Sequence, residues 1–485
     1  MPDIRTEFKR IDNILLEDAG TNGAGDYMAQ MSWILFLKYL DDLEETRKAE
    51  ATFHDERYEP LFKQEFQWRN WAAPRLANDK PDMSAQMTGD DLIEFVNQKL
   101  FPYLKSFKST TNNPKSLTYK IGEIFGEVSN KINSGRNLRD VIDIIDELHF
   151  QTQDELDQLS ILYEDRLKLM GGAGRSGEYY TPRPLIQAMV QAVDPKIFKT
   201  VYDGAAGSAG FLTETYTYLR KKVTKSNELK ALKEDTFFGK NKKPEPYLLG
   251  TMNMILHGIE SPNMAHGNTL NEDTRNIEEK DRYDYILANP PFGGSERPEV
   301  QHNFKIQTRE TANLFMQHFM KKLHAGGEAA VVIKNTFLTN EPNGATGKIR
   351  KELLEGCNLH TILDLPGGVF SATGSTGVKT VVLFFRKGEP TREIWYYQLS
   401  PGRNLGKTNP LNIHDFDDFL AKYKTREVSE NSWIVKVENI DQTSLDLGVK
   451  NPHNLEEELK SPMKILEDIR RIDREIVEIL ESIQL

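Results

Sequence analysis

Cysteine is nearly absent from this chain. Cys357 is the only one in 485 residues, so no intrachain disulfide framework can form and a reducing compartment is expected. Long apolar runs are missing as well. The longest near the N-terminus, Trp33 to Leu37, is far too short to span a bilayer. Met1-Pro2-Asp3-Ile4-Arg5 lacks the apolar core of a signal peptide, and a cytoplasmic protein is the expectation. Positive charge is in deficit: 62 Lys and Arg against 73 Asp and Glu leave a net charge of −11. That excludes a chain whose whole surface grips polyanions, and leaves such a grip to local clusters or to a partner. The local clusters are Arg220-Lys221-Lys222 with Lys225, Lys240 with Lys242-Lys243, Lys348 with Arg350-Lys351, and Arg386-Lys387. Most clusters of this kind are simply solvated faces. No helix-turn-helix or zinc-finger spacing is visible, so no base-reading module is expected.

What is present divides into three parts, as the length suggests. Residues 1–155 read as a helical bundle: Phe8, Ile11, Ile14 and Leu15 share one helical face, and Trp33 to Leu37 with Leu40 and Leu43 form a broader stripe. Residues 156–425 alternate short strands with helices. The strand-like runs are Thr200 to Tyr202, Tyr285 to Leu287, Ala329 to Ile333, Thr361 to Leu363 and Thr380 to Phe385. Such alternation predicts an α/β fold, a mostly parallel sheet with helices on both faces and ligands at the carboxyl ends of its strands. Residues 426–485 form a C-terminal segment. In it Ser461 reads as an N-cap, and Leu466, Ile469, Ile472, Ile476, Leu480 and Ile483 recur at helical steps. So narrow a stripe wants a partner helix; packing back on the N-terminal bundle is the open alternative.

Three stretches carry chemistry. Asp284 to Ala288 reads as a buried strand that ends at Asn289-Pro290-Pro291-Phe292. Two consecutive prolines fix φ and donate nothing, so the chain leaves the strand in a rigid, extended turn. The Asn289 amide and the adjoining Pro290 carbonyl can then accept side by side from one exocyclic NH2. Phe292 offers a face to a flipped base. An ordinary Pro-Pro loop with an Asn cap is the bland alternative. Upstream, Asp203-Gly204-Ala205-Ala206-Gly207-Ser208-Ala209-Gly210-Phe211 follows the Val201-Tyr202 strand and opens a helix. Small residues let the backbone approach a ligand, and a helix start offers unpaired amides. Its spacing differs from GxGxxG, which argues against a hydride enzyme. The third stretch, Gly177 to Arg183, sets aromatics beside a Thr-Pro helix start.

In this order the three stretches resemble the modification subunit of type I restriction–modification systems, an adenine-N6 DNA methyltransferase. The resemblance extends to Phe8 through Tyr39, to His257-Gly258-Ile259, to Gly377-Val378-Lys379-Thr380 and, in kind, to the terminal amphipathic helix. It implies a Rossmann-like sheet that binds S-adenosylmethionine. Glu178, Tyr179, Tyr180, Thr181, Pro182 and Arg183 would line the cofactor pocket with Gly204, Gly207, Ser208, Ala209 and Gly210, and Asp203 would lie near the methionine amino group. Asn289 and Pro290 would accept from the adenine amine, with Pro291 completing the rigid turn. Phe292 would stack on the base, which is worth roughly 1–3 kcal/mol. No metal is then needed. The implied partners are double-stranded DNA, a specificity subunit flanked by two modification subunits, and a restriction (nuclease and translocase) subunit, with no membrane.

Three positions depart from the family pattern. Asn241 stands where a Glu usually grips the ribose hydroxyls, which predicts cofactor binding weakened roughly tenfold or more. Asn268 stands where related methylases often have Asp near the cofactor's adenine, and Gly204 replaces a common Pro. Two other classes stay open. One is a methyltransferase-fold scaffold or cofactor sensor with a weakened site. The other is a methylase of protein glutamine, a class that generally has Tyr at the fourth position of the Asn-Pro-Pro motif.

Overall fold

The computed structural model describes residues 4–76, 78, 80–113, 116–148, 152–172, 180–259, 262–339, 341, 343–371, 378–406, 408–453, 463, 469–474 and 476. In the N-terminal part the helices Ile4–Glu17, Gly23–Phe53, Leu117–Glu127 and Gly135–Asp146 pack together, and Gln153–Gly172 leads on from them. Ser116 and Ser134 cap two of these helices, each hydroxyl accepting a backbone N–H at 3.2 Å. Phe8, Ile11 and Leu15 bury the stripe of the first helix, while Leu16 beside them stays exposed. The centre of Gly23–Phe53 is buried on all sides, because it lies between its own bundle and the helix Pro244–Leu256 of the following part.

The sheet has nine strands among the described residues: β1 Val201–Asp203, β2 Phe237–Asn241, β3 Asn263–His266, β4 Tyr283–Ala288, β5 Leu323–Lys334, β6 Cys357–Asp364, β7 Thr380–Lys387, β8 Glu393–Gln398 and β9 Ser432–Lys436. Their order is β3-β2-β1-β4-β5-β7-β6-β8-β9. Strands β3, β2, β1, β4 and β5 are mutually parallel, β7 lies antiparallel between β5 and β6, and β9 pairs antiparallel with β8. The chain winds outward from β1 through β2 and β3, then returns to place β4 on the other side of β1. The carboxyl ends of β1 and β4 therefore flank a topological switch point.

Both faces of the sheet are covered. Leu287 points into the core shared with the N-terminal helices and with Arg183–Val193, Gly210–Arg220 and Pro244–Leu256. Its neighbours Ile286 and Ala288 point into the opposite core, under Thr311–Lys322 and Ala345–Gly356. The edge strand β3 is capped by the first part, where the Lys120 ammonium donates to the Met264 carbonyl at 2.7 Å.

Four strands, β2, β3, β8 and β9, were not flagged by the sequence pattern. β2 and β3 are short and rich in polar residues, and their burial comes from the neighbouring strand rather than from apolar alternation. β9 lies beyond position 425, so the sheet takes in part of the segment the pattern assigned to the C-terminal region. Most of the terminal helix read from Ser461 lies outside the described residues, Ser461 and Leu466 included. Of its stripe, Ile469, Ile472 and Ile476 are described, and all three are about half exposed.

Candidate active site

β1 ends at Asp203, and the chain then turns through Gly204 to Ala209 into the helix Gly210–Arg220. Gly207 and Ala209 both take positive φ, 52° and 60°, which folds the backbone tightly against the strand ends. At Gly210 an added Cβ would stand 2.9 Å from Ile186 Cδ1, so the two helices approach closely here. Asn241, the last residue of β2, pins this loop. Its Oδ1 accepts the Gly207 N–H at 2.8 Å, and its Nδ2 donates to the carbonyls of Gly207 and Pro246, each at 3.0 Å. Asp203 is fully buried, and its carboxylate accepts the Ala205 N–H at 3.0 Å. Burial pushes its carboxyl up to about 7.

β4 ends at Asn289. The Asn289 Nδ2 donates to the Thr181 hydroxyl at 3.0 Å. Its Oδ1 is buried and has no hydrogen-bond partner among the described residues. A buried acceptor left open is costly unless something fills it. Phe292 meets Phe370 edge to face, with ring centroids 5.9 Å apart and planes at 84°. The loop after Phe292 is held by a short ladder: Thr311 N–H donates to the Gly294 carbonyl and Glu296 N–H to the Arg309 carbonyl, each at 3.0 Å.

Two adjoining cavities open along these strand ends. The larger, about 290 Å³, is bounded by Gly204, Gly207, Asn241, Asn268, Asn289 and Pro291, with Phe315 as an apolar wall. The smaller, about 20 Å³, is bounded by Thr181, Asp203, Ser208, Gly210 and Asn289. Asn289 belongs to both. The larger volume is at the lower end of the roughly 300–1,000 Å³ typical of ligand sites. Its chemistry suits a nucleoside with a charged tail: apolar walls, a glycine cradle at a helix start, and a buried carboxylate behind the cradle.

Sequence comparison fits this geometry. Residues 154–461 match the family model for N-6 DNA methylases, and residues 9–145 match that for the HsdM N-terminal domain. The chain belongs to the N-6 DNA methylases. It is 36% identical to the methylase subunit of the type I restriction enzyme EcoEI from Escherichia coli, over 99% of this chain and 97% of that one. A crystal structure of a modification subunit from Vibrio vulnificus YJ016 superposes with a TM-score of 0.82 at 37% identity, covering 93% of this chain and 97% of that one. A structure bearing on complex assembly and conformational transition of the type I R-M system gives a TM-score of 0.79 at 36% identity, covering 99% and 97%.

The methylase brings together most of the residues its sequence singled out, and it leaves several elsewhere. Arg183 does not face the cavities. Its guanidinium donates to the Gly210 carbonyl at 2.7 Å and pairs with Glu164 and Glu214, bracing three helices. Pro182 sits at the start of the helix Arg183–Val193, and half-buried Tyr180 packs on the core, where burial pushes its phenol up to about 12. Pro290 continues the turn without bounding either cavity. Glu178 and Tyr179 lie outside the described residues. Asn268 uses its Oδ1 to accept the Leu270 N–H at 3.1 Å.

Of the basic clusters, Arg350 is turned into the fold of the methylase, and several exposed members are engaged in surface ion pairs. Lys222 pairs with Asp194 at 2.6 Å, Lys242 with Glu296 at 2.8 Å and Arg386 with Glu328 at 3.0 Å. Arg350 is buried and donates to the carbonyls of Phe337, Ser444 and Leu445. Sequence reasoning missed Phe370 and Glu296. A Phe beyond a Gly-Gly turn at the end of β6 was the available signal for the first. Nothing local marked the second.

Proposed function

We propose that this methylase transfers a methyl group from S-adenosylmethionine to the N6 amine of an adenine flipped out of double-stranded DNA, as the modification subunit of a type I restriction–modification complex. A specificity subunit, flanked by two copies of this chain, would choose the site, and a restriction subunit would complete the assembly. The observation that carries the reading is Asn289: an amide fixed through its nitrogen to Thr181, with a buried, unpartnered oxygen at the switch point. Such an oxygen is an acceptor waiting for a donor, and an exocyclic amine brings two.

When bound, S-adenosylmethionine supplies an electrophilic methyl on a sulfonium sulfur. The protein's part is to present the nitrogen. Neutral adenine N6 is a weak nucleophile because its lone pair is delocalised into the ring. Asn289 Oδ1 and the Pro290 carbonyl accept its two N–H bonds and favour a tetrahedral nitrogen, whose lone pair then points at the methyl. Pro290 and Pro291 hold this pair of acceptors rigid, and Phe292, whose ring meets Phe370 edge to face, stacks on the base. The glycine loop, with Ser208, Ala209 and Gly210, cradles the tail of the cofactor, and Asp203 faces its ammonium. We assign residues 1–155 to contacts with DNA and partner subunits, the sheet and its helices to catalysis, and the terminal tail to docking. The cytoplasm follows from the DNA substrate.

The scaffold reading rested on Asn241 and Asn268 as weakened ligands. It is not favoured, because both amides have structural employment of their own. Asn289→Ala tests the proposal. Incorporation of labelled methyl into DNA should fall by roughly 10²–10³-fold or more, as when one preorganised polar contact to the reacting group is removed, while affinity for S-adenosylhomocysteine stays within about twofold. Retained methylation would sink the catalytic assignment.

A further inference from the structure

The nucleoside end of the cofactor must find an acceptor for its purine amine, and Asn268 stands where related methylases often have an Asp near that adenine, while Asn241 stands where a Glu usually grips the ribose. Neither amide is well placed to replace the carboxylate. Asn241 directs both donors at backbone carbonyls and its oxygen at the Gly207 N–H. Asn268 has its oxygen on the Leu270 N–H and turns its Nδ2 toward Glu296 at 3.4 Å. Among the residues bounding the larger cavity there is one carboxylate, Glu296. Its side chain is only 8% exposed, and Lys242 holds it with an ion pair of 2.8 Å from across the cavity mouth. The backbone that carries it is fixed. The Glu296 N–H donates to Arg309, and the Gln301 side chain donates to the Glu296 carbonyl at 2.8 Å. At neighbouring Gly294 an added Cβ would stand 2.6 Å from Thr311 Oγ1, so the loop is pressed onto the helix behind it.

We infer that Glu296 is the cofactor-binding carboxylate of this site, accepting a hydrogen bond from the exocyclic amine of the bound adenosyl group, with Lys242 as its counter-ion. The inference rests on the methyltransferase reading above. Pro291 and Phe315 bound the same cavity and offer apolar walls for the purine faces, and Glu296, five residues after Pro291, offers the carboxylate. A carboxylate paired with a lysine at 2.8 Å, its side chain only 8% exposed, is a strong acceptor for a neutral amine. Its position also ties cofactor binding to the base-binding turn, since one short loop carries both Phe292 and Glu296.

The test is calorimetric titration of the full chain with S-adenosylhomocysteine and with S-inosylhomocysteine, in which an oxo group replaces the amine. A charge-assisted bond to the amine predicts that the wild type prefers the adenosyl compound by roughly tenfold or more. Glu296→Gln should lose about tenfold in affinity for the adenosyl compound, and its preference between the two should collapse. A Glu296→Gln chain that keeps both affinity and preference overturns the inference. So does one that loses affinity for both ligands equally, which is what a merely structural Lys242 partner would do. If that variant does not fold, a wild type without preference overturns it equally, and a wild type with preference that Lys242→Met diminishes supports it. A wild type that binds neither compound would instead refute the methyltransferase reading itself.

Discussion

Asn241→Asp separates how this site is built from what the family pattern alone suggests. The substitution is nearly isosteric. One carboxylate oxygen can still accept the Gly207 N–H at 2.8 Å, but the other takes the place of a nitrogen that donates to two carbonyls at 3.0 Å. Two hydrogen bonds worth about 1 kcal/mol each are lost. An anion, buried because Asn241 is buried, then faces the Gly207 and Pro246 carbonyl dipoles. The loss is at least about 2 kcal/mol, or roughly 30-fold in the balance between the pinned and the unpinned glycine loop. If only the pinned loop binds cofactor, the apparent dissociation constant rises in proportion as the competent fraction falls. Calorimetry with S-adenosylhomocysteine reads this directly, and the melting temperature of the cofactor-free variant should fall with it. The family pattern gives the opposite expectation, since an acidic group at this position would grip the ribose. Unchanged or tighter binding by Asn241→Asp would refute the pinning role.

Two further perturbations probe the neighbouring groups. Thr181→Val removes the acceptor that orients Asn289; kcat should fall roughly tenfold while the affinity for S-adenosylhomocysteine is unchanged, and a parallel loss of both would mean that Thr181 serves the cofactor instead. Asp203 is held up to about 7 by burial, against 3.8 as its ordinary value. For an acid raised in this way, stability is fully present below the ordinary value and is lost as pH rises through about 7, with each pH unit in that window worth at most roughly 1.4 kcal/mol. Asn cannot ionise, so cofactor-free Asp203→Asn should melt above the wild type near pH 8, by a margin that shrinks toward pH 5. A margin independent of pH would show that ionisation of Asp203 is not what destabilises the empty site.

Those parts of the fold written in periodicity were legible in the sequence. β4, β5 and β7 each contain an apolar run long enough to announce a buried strand, and β1 and β6 contain shorter ones. β2 and β3 are weaker still, with Lys, Asn and His among their few residues: Phe237-Phe238-Gly239-Lys240-Asn241 and Asn263-Met264-Ala265-His266 become strands because β1 and the N-terminal helices supply their partners and their cover. No window along the chain contains that information. The antiparallel insertion of β7 between β5 and β6 is likewise a matter of long-range pairing that spacing does not encode.

At the site, the turn Asn289-Pro290-Pro291-Phe292 could be read because its chemistry is local: the prolines fix the geometry and the amide supplies the acceptor. Arg183, Asn241 and Asn268 are a different kind of residue. Each is a polar side chain with several hydrogen-bonding groups, and its role depends on which of those groups the fold has already consumed. Arg183 has its guanidinium on Gly210, Glu164 and Glu214; Asn241 has its amide on Gly207 and Pro246; Asn268 has its oxygen on Leu270. Counting what is left over turns a pattern of conservative-looking departures into a relocation. The purine-amine acceptor missing after β3 is carried by the loop after β4, at Glu296, beside the turn to which we assign the flipped base. If that is so, a change at Asn241 or Asn268 alone cannot restore the usual arrangement. A carboxylate at Asn268 would stand within reach of Glu296, which now takes the Asn268 Nδ2 at 3.4 Å, and like charges there would repel unless Lys242 neutralised both.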